Sequence, residues 1–130
     1  MSDGVVLDAS ALLALLKDEP GAGEVAGVMA ASRISAVNLA EVISHFIHAG
    51  MPASEVDAML NPLPMTVIDA DADLAATAGR LRAVTAPAGL SLGDRFCLAL
   101  ARRDGLPAWT ADRAWRTVSD AIGAEIVVIR

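Results

Sequence analysis

The sequence predicts an α/β domain in which helices cover both faces of a central parallel sheet. Short apolar runs such as Val5-Val6-Leu7 are typical of buried parallel strands, because both faces of such a strand are covered. These runs alternate along the chain with longer segments of helical periodicity. That alternation is the pattern of β-α-β units with right-handed crossovers.

The first half of the chain begins with a strand and contains a strongly amphipathic helix. Leu39, Val42 and Ile43 follow the i, i+3, i+4 spacing of a core-facing stripe, and Ser35 is expected to cap this helix. In order, we expect a strand at 5–7, a helix to about 18, a helix over 23–29, a short strand near 34, and helices over 36–49 and 54–60.

The second half continues the alternation and ends in a strand. We expect a strand at 65–68, a helix to about 84, a loop over 85–90, a helix from 91 to about 104, a strand at 106–110, a helix from 112 to about 121 and a strand at 126–129. Asp69, Asp71 and Asp73 lack the glycine and the closing glutamate of a calcium-binding loop, so we expect them to complement a helix dipole.

Length and composition indicate one domain over residues 1–130. The chain has 130 residues, of which 55% are hydrophobic. No apolar run approaches the roughly 20 uncharged residues that span a bilayer, and the acidic N-terminus lacks the basic region of a signal peptide. The lone Cys97 is expected to be a buried thiol in a reducing compartment. We therefore expect a cytoplasmic protein without a membrane segment.

The charge balance restricts the possible ligands. The net charge is −6, from 16 acidic and 10 basic residues. A surplus of acids argues against simple electrostatic binding to nucleic acid, since phosphate contacts require Lys and Arg. A bound metal that neutralises several acids, or a basic partner protein, would remove that objection.

Asp8 lies where the first predicted strand leaves the sheet. In open parallel sheets, ligands bind at the carboxyl ends of the strands. The same position is that of a helix N-cap, where aspartate is frequent. Its position alone leaves both interpretations of Asp8 open.

Three further carboxylates are expected near the same edge of the sheet. Glu41 lies on the polar side of its helix and, with His45 one turn later, offers two zinc ligands that lack further His or Cys partners. Asp94 follows Ser91 at capping-box spacing, although it also lies on an apolar helix where an unpaired charge is costly. Asp112 ends a strand and is also a candidate N-cap.

Four carboxylates at one edge would repel one another unless a cation joins them. Oxygen ligands suit Mg²⁺ or Mn²⁺ rather than zinc. Such an ion activates water for in-line attack on a phosphodiester and stabilises charge on the phosphate oxygens. The acids therefore predict a metal-dependent phosphodiesterase site.

The chain resembles PIN-domain ribonucleases, and specifically the VapC-like toxins of bacterial VapBC toxin–antitoxin pairs. The resemblance rests on four segments that occur in the family's order, at residues 5–12, 35–42, 92–101 and 110–115. It implies a PIN-like fold, with a central parallel five-stranded sheet flanked by helices, and a single PIN domain over residues 1–130. It also implies an endoribonuclease that depends on Mg²⁺ or Mn²⁺ and acts as the toxin of such a pair.

The resemblance also assigns site residues and partners. The acidic quartet would be Asp8, Glu41, Asp94 and Asp112. Asp8 and Asp94 would ligate the metal most directly, and the other two would bind it directly or through water and orient the attacking water. The residues that match supporting, hydrogen-bonding positions are Ser10, Asn38 and Thr110. The family usually forms homodimers, and a cognate VapB-like antitoxin inserts a segment, often with Arg, into the acidic groove. Some relatives carry a further acid where this chain has Ala114, so the number of metals stays open.

The RNA substrate itself is not identified by the sequence. Candidates for phosphate contacts are Arg95, Arg102, Arg113 and Arg116. Trp109, Trp115 and Phe96 offer stacking surfaces for bases, with core packing as the alternative.

Two other functions stay open. The first is an aspartyl-phosphate phosphotransferase or phosphatase with Asp8 as nucleophile. Such enzymes normally have a second Asp where this chain has Ser10, and a lysine for the phosphate, whereas Lys17 is the only lysine here. The second is a catalytically inactive PIN module that binds RNA or an antitoxin, although the presence of all four acids weighs against it.

Overall fold

The computed structural model describes residues 4–130 and has a five-stranded sheet with the strand order β3-β2-β1-β4-β5. Each pair of neighbouring strands is parallel. The strands are β1 (Val5–Leu7), β2 (Ser32–Ser35), β3 (Thr66–Ile68), β4 (Ala108–Thr110) and β5 (Ile126–Val128). The α/β class and the parallel five-stranded sheet predicted from the sequence are confirmed.

Helices connect the strands within the described residues. The α-helices are α1 (Ala9–Leu16), α2 (Ala22–Val28), α3 (Ala36–His48), α4 (Ala53–Leu60), α5 (Ala72–Arg80), α6 (Arg82–Thr85), α7 (Leu92–Asp104) and α8 (Ser119–Ile122). Short 3₁₀ segments occur at Met29–Ala31, Ala86–Ala88 and Arg113–Val118. None of the helices in this part of the chain is long and apolar enough to cross a membrane.

The helix expected to run to about residue 84 is divided in two. The helix α5 ends at Arg80, and the short helix α6 follows Leu81. The guanidinium of Arg95 donates to the carbonyl of Ala78 at 3.0 Å and to that of Gly79 at 3.5 Å. These carbonyls belong to the last turn of α5, where helical acceptors lack partners within the helix. The single-helix prediction was wrong here because a distant side chain occupies the end of the helix.

The helix expected over 112–121 is mostly a 3₁₀ segment. The N–H of Trp115 donates to the carbonyl of Asp112, which is the i to i+3 bond of a 3₁₀ turn. Only Ser119–Ile122 is α-helical. The indole of Trp115 is fully buried, so core packing holds this irregular segment against the sheet.

The core consists of two layers, one on each face of the sheet. Val6 belongs to one layer, with Leu98 and Trp115, whereas Leu7 belongs to the other, with Val42. Consecutive strand residues point to opposite faces, so a strand buried on both sides contributes to both layers. The other stacking candidates also pack in these layers, since Phe96 is buried and Trp109 is half-buried; the thiol of Cys97 is buried too, as expected. Core packing, the alternative kept open for the aromatic residues, is what the structure shows.

The direction in which successive strands are added to the sheet reverses at β1. Strands β2 and β3 lie on one side of β1, whereas β4 and β5 lie on the other. Such a reversal opens a crevice at the carboxyl ends of the two central strands. Here those strands are β1 and β4, which are followed by Asp8 and Asp112.

Candidate active site

Asp8 follows β1 and accepts hydrogen bonds from three directions. The N–H of Ala11 donates to its Oδ1 at 2.8 Å, so Asp8 is the N-cap of α1. The hydroxyl of Thr110 donates to its Oδ2 at 2.6 Å, and the hydroxyl of Ser10 contacts both oxygens. Only 3% of Asp8 is exposed. Asp8 is therefore both a helix cap and a buried carboxylate at a strand end.

Among residues 4–130, no cationic side chain is bonded to this carboxylate. Burial raises the pKa of Asp8 from 3.8 to about 6, although hydrogen bonds from Thr110, Ala11 and Ser10 lower it in part. The charge of Asp94 raises this pKa further, so the two carboxylates repel each other. A perturbed, buried pair of acids is the pattern of a functional site.

Two hydroxyl groups join the ends of β1 and β4. The Oγ of Ser10 accepts the N–H of Ala111 at 2.9 Å, and the Oγ1 of Thr110 accepts the N–H of Asp112 at 3.0 Å. Asp112 is exposed, and its carboxylate accepts the N–H of Ala114 at 2.9 Å. The predicted supporting residues Ser10 and Thr110 thus bring the start of the 3₁₀ segment to the side of Asp8.

Asn38 connects α3 to the beginning of α7. Its buried Nδ2 donates to Oε1 of Glu41 at 2.8 Å and to the carbonyl of Gly93 at 3.0 Å. A Cβ at Gly93 would overlap the carboxylate of Glu41, so glycine is what lets Glu41 lie against α7. The importance of Gly93 was missed in the sequence. The one signal was a glycine in the first turn of a helix, where its intrinsic helix propensity is poor.

Asp94 lies in the first turn of α7 and forms a capping box with Ser91. Its carboxylate accepts the N–H of Ser91 at 2.8 Å, and the Ser91 hydroxyl accepts the N–H of Asp94 at 3.2 Å. Burial raises the pKa of Asp94; the bonds with Ser91 and the charge of Arg95 lower it, whereas the charge of Asp112 raises it. The capping interpretation is confirmed, and it coexists with interactions between Asp94 and the other acids.

The buried thiol of Cys97 lies within the field of three of these acids. Burial raises its pKa well above the usual value, and the charges of Asp8, Asp94 and Glu41 raise it further. Together with the action of Asp112 on Asp94, this connects all four acids electrostatically. Asp8, Asp94 and Glu41 thus act electrostatically on Cys97, and Asp112 acts on Asp94, whereas convergence of all four acids at one metal stays a prediction.

The acids do not form a completed metal site as they stand. Among residues 4–130, no group of three or more His, Cys, Asp and Glu side chains is placed so that it could hold a metal ion. The carboxylates are instead engaged with N–H and hydroxyl donors of the protein. Nε2 of His45, the zinc ligand considered together with Glu41, lies 3.4 Å from the Nζ of Lys17.

The candidate phosphate-binding arginines differ in exposure. Arg102, Arg113 and Arg116 are exposed, and Nε of Arg113 donates to the carbonyl of Arg130 at 3.3 Å. Arg95 is only 7% exposed, and its guanidinium is fixed by the end of α5. Arg95 is therefore held at the end of α5, whereas the other three side chains lie at the surface. Contact of the exposed arginines with RNA stays a prediction.

Comparison with known proteins identifies the family. The model of the PIN domain family matches residues 5–121. This chain belongs to the PIN domain family. The ribonuclease VapC of Mycolicibacterium smegmatis is 32% identical over 126 residues, which cover 86% of this chain and 94% of that protein. The resemblance to VapC-like PIN proteins noted in the sequence is confirmed.

Solved structures of PIN proteins share this fold. A member of the VapBC family of toxin–antitoxin systems from Mycobacterium tuberculosis, VapBC-5, has a TM-score of 0.67 at 25% identity and covers 96% of this chain and 98% of its own. VapC20 of the same organism, described as a toxin that cleaves the sarcin–ricin loop, has a TM-score of 0.72 at 19% identity, with coverages of 88% and 95%. The second likeness shows the PIN fold alone.

Proposed function

We propose that this chain is a metal-dependent endoribonuclease and the toxin of a VapBC-type pair. The observation that carries the proposal is the buried Asp8, which is held by Ser10 and Thr110 and repelled by Asp94. Within the part of the chain that the structure describes, no cationic side chain is bonded to it. The PIN fold and the relative named ribonuclease VapC support the choice of RNA as substrate.

The residues present fit a hard divalent cation. The four candidate ligands offer oxygen atoms alone, which suits Mg²⁺ or Mn²⁺. Burial raises the pKa values of Asp8 and Asp94, and a positive charge between them would reverse that effect. In addition, Oδ1 of Asn38 is buried and has no hydrogen-bond partner among the described residues, so it can accept a bond from a water held there.

The residues of the site have different roles in the proposed hydrolysis. Asp8 and Asp94 would hold the ion, which when bound lowers the pKa of water and stabilises charge on phosphate oxygens. Thr110 and Ser10 fix the orientation of Asp8, while Glu41 and Asp112 orient the attacking water. The reaction forms one P–O bond from water and breaks one P–O bond of the RNA chain.

An aspartyl-phosphate mechanism is disfavoured by the surroundings of Asp8. Both of its oxygens accept hydrogen bonds, and its exposure is 3%. Lys17, the only lysine of the chain, follows the last residue of α1 and pairs with Glu19 at 3.6 Å. An eight-residue helix separates it from Asp8, so it does not supply a cation for a phosphate there.

The partner we propose is a VapB-like antitoxin whose basic segment enters the acidic groove. The net charge of −6 and the carboxylates of the site favour a basic segment. The similarity to a VapBC-family structure supports this kind of partner. A homodimer and a cytoplasmic location are proposed on the resemblance to VapC-like toxins.

The proposal predicts that cleavage depends on a divalent ion. Purified protein, freed of antitoxin, is expected to cleave RNA with Mg²⁺ or Mn²⁺ and to lose that activity in excess EDTA, because the acids alone cannot stabilise the phosphate charge. Gel analysis of cleaved RNA, with end mapping, measures this. Restoration by added Mg²⁺ is the control for intact protein, and equal cleavage in excess EDTA would overturn the metal mechanism.

Gly93→Ala is expected to lower RNA cleavage by about 10- to 100-fold without unfolding the protein. The added Cβ displaces the carboxylate of Glu41, which is the flexible end of a side chain, and disturbs the carbonyl that Asn38 binds. Initial cleavage rates measure the loss, and circular dichroism checks the fold.

Gly79→Ala is the matched control, since Gly79 also lies in a helix but a Cβ there meets nothing within 4 Å. Its cleavage rate is expected to stay at the wild-type level, with stability raised by up to about 1 kcal/mol. If the two variants had equal rates, the positioning role of Gly93 would be wrong.

A further inference from the structure

A cavity of about 320 Å³ lies beside the first turn of α7. The residues that line it include Arg82, Gly89, Leu90, Ser91, Leu92 and Arg95, so its described lining holds two arginines and no carboxylate. The neighbouring acid is Asp94, which adjoins the lining in sequence. Two arginine side chains therefore line a cavity next to Asp94, whose carboxylate accepts the N–H of Ser91 in the lining.

Arg95 gives this cavity a buried and incompletely bonded charge. Its Nη1 donates to the carbonyl of Ala78 at 3.0 Å, which fixes the guanidinium plane. Its Nε is buried and has no hydrogen-bond partner among the described residues. A buried donor without an acceptor is costly, and within residues 4–130 the Nε–H of Arg95, a residue that is 7% exposed, is such a donor.

The first turn of α7 adds further donors on the same side. The capping box occupies the N–H groups of Ser91 and Asp94 but does not include those of Leu92 and Gly93. The N-terminus of this 13-residue helix favours an anion through its unbonded N–H groups and its dipole. Arg82 is exposed and lies at the cavity, so it can approach a ligand that enters from solvent.

We propose that this cavity is a subsite for an RNA backbone phosphate next to the phosphodiester that is cleaved. The inference rests on the ribonuclease function proposed above. Arginine and helix N–H groups are the donors that bind phosphate in proteins. Leu92, which is 53% exposed, provides an apolar surface for the attached nucleoside.

RNA fits this cavity better than an antitoxin does. A basic antitoxin segment suits the carboxylates of Asp8 and Asp94 but is repelled by Arg82 and Arg95. An RNA chain carries phosphates on both sides of the one that is cleaved, so it can place one phosphate at the acids and the next at the arginines. The cavity thus orients the RNA along α7.

Phosphate binding can be followed at Arg95 itself by nuclear magnetic resonance of ¹⁵N-labelled protein in excess EDTA. Adenosine 5′-monophosphate is expected to shift the Nε–H signal of Arg95 and the amide signals of residues 89–92, whereas adenosine leaves them in place. Arg82→Gln is expected to weaken this binding about 10-fold, because one charge-assisted contact is lost.

Arg80→Gln is the matched control, since Arg80 is also exposed but lines a different cavity. Its affinity for the mononucleotide is expected to equal that of the wild type. Equal weakening by both variants, or an unmoved Arg95 signal, would overturn the subsite. Shifts produced by an acidic peptide in place of the mononucleotide would indicate a protein ligand and would also overturn it.

Cleavage kinetics separate this inference from the proposed function. With Mg²⁺, Arg82→Gln is expected to raise the KM for RNA about 10-fold relative to Arg80→Gln, with a smaller effect on kcat. Wild-type cleavage without mononucleotide binding would overturn the subsite alone. Mononucleotide binding without any wild-type cleavage would overturn the proposed function, and with it the assignment of the cavity to RNA.

Discussion

Asp8→Asn is expected to lower RNA cleavage by at least about 100-fold and, at neutral pH, to stabilise the fold. The amide lacks the charge that would hold the metal, but it keeps an oxygen that can accept the N–H of Ala11 and so cap α1. The hydroxyls of Ser10 and Thr110 can rotate to accept from the new amide group. The pKa of Asp8 is raised from 3.8 to about 6, so the ionised carboxylate lowers the free energy of unfolding of the wild type by up to about 3 kcal/mol. The uncharged amide of the variant does not carry this cost.

Single-turnover cleavage and urea unfolding at neutral pH measure the two effects. Asp71→Asn is the matched control, because Asp71 also caps a helix, through the N–H of Leu74 at 2.9 Å, but does not belong to the acidic site. Its cleavage and stability are expected to stay close to wild type, since Asn and Asp are similar N-caps. Wild-type cleavage by Asp8→Asn would contradict the catalytic assignment of Asp8.

The metal-free protein is expected to lose stability as the pH rises from below 3.8 to above about 6. The folded-state pKa of Asp8 is above its unfolded value of 3.8, so the folded state binds this proton more tightly. The stability that this proton contributes is fully present below the unfolded value and is lost as the pH passes about 6. Asp94 acts in the same direction, because its pKa is also raised. Together these shifts make the folded apoprotein more stable in mild acid.

Urea unfolding in EDTA at several pH values tests this dependence. The free energy of unfolding of the wild type is expected to fall by up to about 3 kcal/mol over this interval, and that of Asp8→Asn by distinctly less. Saturating Mg²⁺ is expected to reduce the wild-type loss, since a ligand that binds the folded state stabilises it. Equal pH slopes for the wild type and Asp8→Asn would show that Asp8 titrates normally.

Local patterns were sufficient to predict the parts of the site that depend on short sequence separations. The apolar run before Asp8 indicates a strand end, and the three-residue spacing from Ser91 to Asp94 indicates a capping box. Both features follow from backbone geometry within one turn, so they can be predicted without knowledge of the tertiary fold.

Contacts between distant segments could not be predicted in the same way. Asn38 reaches the carbonyl of Gly93 across 55 positions, and Arg95 reaches that of Ala78 across 17. Periodicity shows which face of a helix is apolar, but it does not show which distant carbonyls a side chain will reach. For this reason the burial of Arg95 against the end of α5, and the division between α5 and α6, could not be predicted.

The hydrogen bond from Thr110 to Asp8 has a consequence for the synthesis of this chain. It joins residues 102 positions apart, and the remaining acids are distributed between them and just beyond, at Glu41, Asp94 and Asp112. A ribosome must therefore have polymerised the chain past residue 112 before the quartet can assemble. On the proposed function, incomplete nascent chains are harmless to cellular RNA, and the antitoxin needs to neutralise only molecules whose translation is almost finished.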